Sequence, residues 1–301
     1  MRTPGVLVLG SRGMLGSMVY SSLMTRSGWH VQGTCRERDM RENTGRSFDV
    51  LSFARAPEAF AWIKDTDWII NCVGLLRQDC VSADMHAGGE AILVNALFPH
   101  LLASFLERTS VRVLQIATDG VFSGQRGAYN EADAHDALDL YGRTKSLGEV
   151  PSRAFLHIRC SIIGPDPKRR RGLLDWILSH PPGAAVRGFV HHRWNGVTTL
   201  QFAKLCDCII SQDSLFEDLT ARSAIHHFVP NETLTKHELL ERVNQVYRAN
   251  LRIEAVSEPG PPQDRSLTSR FELLQQRCGA GSLQAALEEL RIFSGSGRLT
   301  T

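Results

Sequence analysis

The sequence predicts a doubly wound α/β fold, a parallel sheet with helices on both faces, joined to a smaller, discontinuous C-terminal domain. Three observations point to it. Short β-branched apolar runs alternate with helix-length segments from Gly5 to Gly164. The runs are apolar almost throughout, as strands buried on both faces require. Three glycines lie between the first run and the first helical segment, where a parallel α/β fold makes its first turn. A chain of 301 residues, 43% hydrophobic and 22% charged, can bury such a core.

Taken in order, GVLVLG is the first strand, MLGSMVYSSLM the first helix and WHVQGTC the second strand. WIINCVG, VRVLQIAT and AFLHIRCSIIG supply further strands, with the helical HLLASFLERT among them. The pattern breaks after Gly164 at Pro165, Pro167, the basic run 168–171, and Pro181, Pro182 and Gly183. A helix over 198–210 and a strand over 226–229 return to the main sheet. Residues 258–262 read as a rigid connector and 283–292 as a closing amphipathic helix. The expected units are therefore 1–164 plus about 197–230, and about 165–196 plus 231–301.

Charge and composition exclude several classes of function. With 34 Lys+Arg against 32 Asp+Glu, the net charge of +2 is too small for a general polyanion-binding field, so nucleic acid is not expected as a partner. The early apolar run at 6–9 is interrupted at once by Gly10, Ser11, Arg12 and Gly13, and no run approaches the roughly 18 apolar residues of a membrane span. The expectation is a soluble protein without membrane partners. Cys35, Cys72, Cys80, Cys160, Cys206, Cys208 and Cys278 contain no CxxC pair. They read as reduced thiols in a cytoplasmic protein.

Gly10, Gly13 and Gly16 form a GxxGxxG loop between strand and helix. Glycines there permit a tight turn, close approach of backbone amides to a pyrophosphate, and tight packing of helix on strand. The backbone at Arg12, Met14 and Leu15 belongs to the same cradle. The second strand should end beside an adenosine ribose, and there the chain reads Cys35-Arg36-Glu37-Arg38. Arg36 and Arg38, with Arg12, place cations where a 2′-phosphate would sit, which favours NADPH over NADH. The other reading of these arginines is solvated surface charge around Glu37.

Tyr141 and Lys145 are four residues apart in LYGRTKSLGE and would share a helix face. A neighbouring ammonium stabilises phenolate, so Lys145 is expected to lower the pKa of Tyr141 and to hold a nicotinamide ribose. Thr118 closes VRVLQIAT, and ligands of doubly wound sheets bind at strand C-termini. The three side chains read as one catalytic set.

IATDGVFSG, YGRTKSLGE and HIRCSIIG resemble the serial motifs of dTDP-4-dehydrorhamnose reductases, within the extended short-chain dehydrogenase/reductases. LGSRGMLGS, INCVG, VNALFPHLLA and WNGVTTLQFAKL extend the resemblance, and HFVPNETLTKHELL and DRSLTSRF carry it almost to the end. It implies a Rossmann-type cofactor domain, a C-terminal substrate domain, and reduction of a 4-keto group on a nucleotide-linked 6-deoxyhexose in surface-polysaccharide synthesis. By matching position, Tyr141 protonates the nascent alkoxide, Thr118 holds the keto oxygen and Lys145 tunes Tyr141. Asn71, Cys72, Val73, Gly74 and Asn95 line the cofactor side. Asp119, Gly120, Val121, Arg159, Ser161, Trp194 and Arg265 belong to the substrate side. Ala117 replaces the family's usual Ser, and Gly120 replaces an aromatic residue, which implies space above the sugar. Gly120 also removes the glutamate that the related 4,6-dehydratases need.

Weaker features keep two readings each. Residues 168–171 could grip a diphosphate or form a solvated loop, and Arg265 could touch substrate or brace the C-terminal segment. His191 with His192, and His226 with His227, lack further ligands at metal spacing, so no metal is expected. Trp62, Trp68 and Trp176 read as core. The expected partner is a nucleotide sugar, and the oligomer considered is a homodimer. Two other functions compete: a catalytically silent nucleotide-binding regulator, since the regulatory subunit of methionine adenosyltransferase is similar to these reductases, and a nucleotide-sugar epimerase that uses the same Tyr and Lys.

Overall fold

The computed structural model describes residues 3–36, 45–80, 85–212, 214–257, 262–279, 281–297 and 299. The first half of the chain supplies strands β1 (Gly5–Leu9), β2 (His30–Cys35), β3 (Gly45–Ser47), β4 (Trp68–Asn71), β5 (Arg112–Thr118) and β6 (Phe155–Cys160). Four short strands follow: β7 (Ile162–Ile163), β8 (Ala185–Phe189), β9 (His192–Trp194) and β10 (Val197–Thr198). Then β11 (Ile225–His227) rejoins the main sheet, whose order is β11-β6-β5-β4-β1-β2-β3. All of its pairings are parallel. Chain order reverses between β1 and β4, and ligands of such sheets bind at that reversal, beyond the strands' carboxyl ends.

The apolar strands have two faces to fill. In β1, Val6 and Val8 join one core and Leu7 and Leu9 the other, because successive side chains point to opposite sides. The first core is closed by helices α1 (Met14–Leu23), α8 (Thr199–Ser211) and α12 (Leu283–Gly295) through Met18, Val19, Phe202, Ile209 and Leu287. The second is closed by α2 (Val50–Arg55) and α5 (Phe98–Leu106) through Phe53, Phe98 and Leu102. Each such side chain stabilises the fold by roughly 1.5–3 kcal/mol.

The short helix α3 (Arg77–Cys80) precedes α4 (Met85–Ala91), which runs through a π-turn (Ile92–Leu97) into α5. The resulting helix, His86–Leu106, is long and apolar enough to cross a membrane by length and composition. Its Val94, Phe98, Leu102 and Leu106 are buried in the second core, and that packing accounts for its apolar character. Helix α6 (Leu140–Leu147) follows β5. Beyond β6 come α7 (Leu173–Leu178), α9 (Leu215–Arg222), β12 (Leu234–Thr235), α10 (Lys236–Tyr247), β13 (Arg252–Val256), β14 (Gln263–Asp264) and α11 (Glu272–Cys278). The short strands pair into small sheets, β12-β9-β14, β13-β8 and β10-β7.

Three expectations are corrected here. Cys208 and Cys278 are disulfide-bonded, tying α8 to α11 across a sequence separation of 70 residues; their Cα atoms lie 5.9 Å apart, a proximity that only the packing of the two helices creates. Cys35, Cys72, Cys80, Cys160 and Cys206 are free thiols. Trp176 is 44% exposed on α7 rather than core, whereas Trp68 is buried. The last strand of the main sheet spans Ile225–His227, displaced from the expected 226–229. Most of the Pro-rich connector, 258–261, lies outside the described residues, as does Arg38.

Candidate active site

The glycine loop joins β1 to α1. Gly10 has φ +76°, a left-handed value that glycine adopts without strain. Gly16 stands directly over the Gly10 carbonyl oxygen, where a Cβ would collide with it. Gly13 is the N-cap of α1 in extended conformation; no side chain caps that end, and its first turn holds no acidic residue. The N-terminal amides and the positive end of the helix are thus left to a ligand. Gly10, Arg12, Gly13, Met14 and Leu15 line a cleft of about 1650 Å³. That exceeds the roughly 300–1,000 Å³ of a single small-ligand site and leaves room for two ligands.

Thr34 of β2 ties the loop down: its hydroxyl accepts from the Gly10 amide at 3.0 Å and its carbonyl from the Ser11 amide at 3.0 Å. Arg36, one residue past β2, lines the cleft and reaches Glu90 at 3.4 Å. Cys72, Val73 and Gly74 line the opposite lip. Asn71 and Asn95 do not. Asn71 is fully buried, donates to Gln115 at 2.7 Å and accepts from the Val73 amide at 3.1 Å. Asn95, in the π-turn, accepts from the Leu75 amide at 2.9 Å and donates to the Leu75 carbonyl at 3.2 Å. Both shape the 72–75 backbone from behind, because a buried amide finds its best partners in a turn's unpaired N–H and C=O groups.

Strand β5 delivers Thr118 to the cleft and α6 delivers Tyr141 and Lys145 one turn apart. The Thr118 hydroxyl accepts from the Gly120 amide at 3.0 Å and donates to the Asp119 carboxylate at 3.2 Å. Asp139 caps α6 by accepting from the Gly142 amide at 3.0 Å, and also pairs with Arg77 at 2.5 Å. The Arg77 guanidinium lies over the Tyr141 ring, 5.4 Å from its centroid.

Burial reverses the expected tuning. It pushes the Tyr141 phenol up to about 12, against a hydrogen bond from Thr118 that pulls it down. The Lys145 ammonium is brought down to about 8, again by burial, with Glu149 opposing. Its Nζ donates to the Ile116 carbonyl at 3.1 Å. Desolvation disfavours phenolate more than Thr118 and Arg77 favour it, so near neutral pH Tyr141 is a loaded proton donor. Burial likewise raises the Asp119 carboxyl, although Arg265 and Thr118 act to lower it.

On the substrate side, Asp119, Gly120, Ser161, Trp194 and Arg265 all line the cleft. Gly120 does not open space above a sugar: a Cβ there would stand 2.7 Å from Tyr141 Cε1. The missing side chain lets the phenol ring approach the strand end. Val121 is buried in a separate cluster with Phe122, Tyr129 and Leu267. Arg159, expected to face substrate, is 2% exposed on β6 and grips Glu149 through two bonds of 2.7 and 2.6 Å, with His227 at 3.1 Å and His135 at 2.5 Å. Strand alternation explains the difference, since Arg159 and Cys160 must point to opposite faces. Lys168, Arg169 and Arg171 of the basic run line the cleft, and Arg169 is paired with Asp79 at 3.0 Å. Lys236, Arg77, His192 and Arg193 also line it, and no spacing in the sequence brings them there.

Comparison with known proteins follows this geometry. The model of the RmlD substrate binding domain family matches residues 3–163, more than half of the chain. The chain belongs to the RmlD-like extended short-chain dehydrogenase/reductases. Within this family it is similar to methionine adenosyltransferase 2 subunit beta of Xenopus tropicalis, 32% identical over 243 residues, covering 77% of this chain and 69% of the frog protein. It is also similar to dTDP-4-dehydrorhamnose reductase of Mycobacterium tuberculosis, 28% identical over 153 residues, covering 49% of this chain and 45% of that one. The same fold occurs in dTDP-4-dehydrorhamnose reductase from Bacillus anthracis, solved in complex with NADP: TM-score 0.74 at 15% identity, covering 96% of this chain and 99% of that one. The expected Rossmann-type parallel sheet is therefore the family's own fold.

Proposed function

We propose that the chain is an NADPH-dependent reductase of the 4-keto group of a nucleotide-linked 6-deoxyhexose. One observation carries this reading: Thr118, the protonated Tyr141 and Lys145 stand in one cleft with an uncapped glycine-loop helix. The uncapped amides of α1 and the steric limits at Gly10 and Gly16 fit a dinucleotide pyrophosphate. Arg36 and Arg12 would meet the 2′-phosphate of NADPH, whose chemical contribution is a hydride.

The chain's own groups then handle the oxygen. The Thr118 hydroxyl turns from Asp119 to the carbonyl oxygen and hydrogen-bonds the charge that develops there. Tyr141 transfers its phenolic proton to that oxygen, completing the alcohol. Lys145, ionising near neutrality, stabilises the phenolate left behind until a solvent proton restores it. Reduction needs a protonated phenol at the outset, and the burial of Tyr141 supplies one. An epimerase or dehydrogenase would start from phenolate. A nucleotide-sugar partner, a homodimeric state and a cytoplasmic location belong to the same proposal.

The likeness to methionine adenosyltransferase 2 subunit beta over 77% of the chain favours a second reading, a nucleotide-binding regulator without turnover. The test is NADPH oxidation by the purified chain with dTDP-4-keto-6-deoxy-L-mannose and with UDP-linked 4-keto-6-deoxy-N-acetyl sugars. Turnover with any of them supports the reductase. NADPH binding with no turnover across the panel favours the regulator.

A further inference from the structure

We propose that the ion pair between Arg169 and Asp79 is a clasp that closes the cleft over the dinucleotide and slows its release. The clasp rests on the dinucleotide half of the reductase reading and adds to it two positioning residues that take no part in the chemistry.

The two residues stand on opposite walls. Asp79 belongs to α3, which continues the lip formed by Cys72, Val73 and Gly74. Arg169 belongs to the segment between β7 and α7, and that segment reaches the glycine loop: a Cβ on Gly172 would stand 3.5 Å from the Sδ of Met14, the first residue of α1. Arg169 Nη1 in turn donates to both carboxylate oxygens of Asp79, at 3.1 and 3.0 Å. Met14, Asp79, Arg169 and Gly172 all line the cleft. A connection that starts beside the glycine-loop helix and ends on the opposite lip spans the opening in which a pyrophosphate on the α1 amides would lie.

Each wall is fixed by bonds of its own. The buried Asp166 carboxylate accepts from the Lys168 and Arg169 amides at 3.2 and 3.0 Å, and the Asp166 amide donates to Asp175 of α7 at 2.9 Å. On the lip, Asn95 holds the Leu75 backbone, and Asp79 accepts from the Leu76 amide at 3.2 Å. The bond from the Arg169 side chain shapes neither wall. What it adds is a link between them, across a sequence separation of 90 residues.

The pair is also placed to open. The Asp79 side chain is 17% exposed and that of Arg169 42%, so water replaces the contact when the long side chain swings away, and neither wall has to unfold. An ion pair this accessible is weak, and its effect on release is severalfold rather than orders of magnitude. A clasp and a direct phosphate contact make opposite demands on Asp79. Removing its carboxylate opens a clasp, whereas it frees the guanidinium for a phosphate.

Stopped-flow displacement gives the dissociation rates of NADPH and of NADH from the full-length chain. Asp79→Asn, which keeps an acceptor for the Leu76 amide, and Arg169→Met should each speed release of both dinucleotides by roughly threefold. The double variant should be no faster than either single one, because both changes remove the same contact. Unchanged or slower release from Asp79→Asn overturns the proposal; with faster release from Arg169→Met it identifies Arg169 as a phosphate ligand. Additive effects overturn it too, as does an effect confined to NADPH, which would put Arg169 at the 2′-phosphate. Ligand-free variants should melt within about 2 °C of wild type, and a larger fall, showing that the pair holds the walls themselves, also overturns the clasp. If neither dinucleotide binds, the clasp and the cofactor half of the reductase reading fall together. If release is unchanged in every variant while a 4-keto sugar is reduced, the reductase reading survives and the clasp alone is lost.

Discussion

The cleft and the buried network around Arg159 handle charge in opposite ways. On the cleft side, Lys145 has a carbonyl oxygen for a partner and Lys236 none within bonding reach among the described residues; burial lowers both ammonium groups to about 8. In the network, Arg159 meets Glu149, His135 and His227, while Glu131 accepts from the His227 and Arg270 amides and from Ser269. Burial there opposes ionisation of Glu149, yet Arg159 overrides it and holds the carboxyl below its ordinary value. A network with its partners in place braces the structure, and a set of polar groups short of partners awaits a ligand.

The sharpest way to break this contrast is Tyr141→Phe, which leaves the ring and removes the proton. Turnover should fall by about 100-fold or more with NADPH affinity unchanged; steady-state rates beside a cofactor titration decide it, and a fully active variant would sink the assignment. Arg159→Met acts on the other side. Stranding Glu149 should reduce stability by about 3 kcal/mol or more, visible in denaturant unfolding, whereas an unchanged midpoint would mean that the network is not structural. Gly120→Ala lies between the two regions. Its methyl group displaces the Tyr141 ring, and turnover should drop roughly tenfold with little change in melting temperature.

Smaller effects sharpen the picture. The Arg36 side chain is 60% exposed, so Arg36→Ala should weaken NADPH relative to NADH only by roughly fivefold, measured from the ratio of their Kd values. An unchanged ratio would make Arg36 a surface charge. Lys145 releases its proton at about 8 in the fold and at 10.5 in the open chain. Above about 8 the unfolded state therefore binds more protons, and stability rises with pH. Lys236 adds to the rise, while the Cys72 thiol, raised from 9.0 to about 12 by burial, opposes it at higher pH. Between about pH 8 and 9, Lys145→Met should therefore flatten the rise in unfolding free energy by up to about 1 kcal/mol. An identical slope in the variant would mean that Lys145 is not desolvated.

By itself the sequence determined the parallel sheet, the glycine loop and the set of Thr118, Tyr141 and Lys145. Each is written in local terms: continuous apolar runs for strands covered on both faces, three glycines at a strand-to-helix turn, two polar side chains four residues apart on one helix. Tertiary structure decided everything that depends on which way a side chain faces or how dry its surroundings are. It turned Arg159 into the core and Asn71 and Asn95 behind the cleft wall, brought Cys208 to Cys278, and brought Lys236 into the cleft that holds Thr118 and Tyr141. It also reversed the tuning of Tyr141, because desolvation depends on all the atoms packed around a group, and sequence spacing specifies only the nearest along the chain.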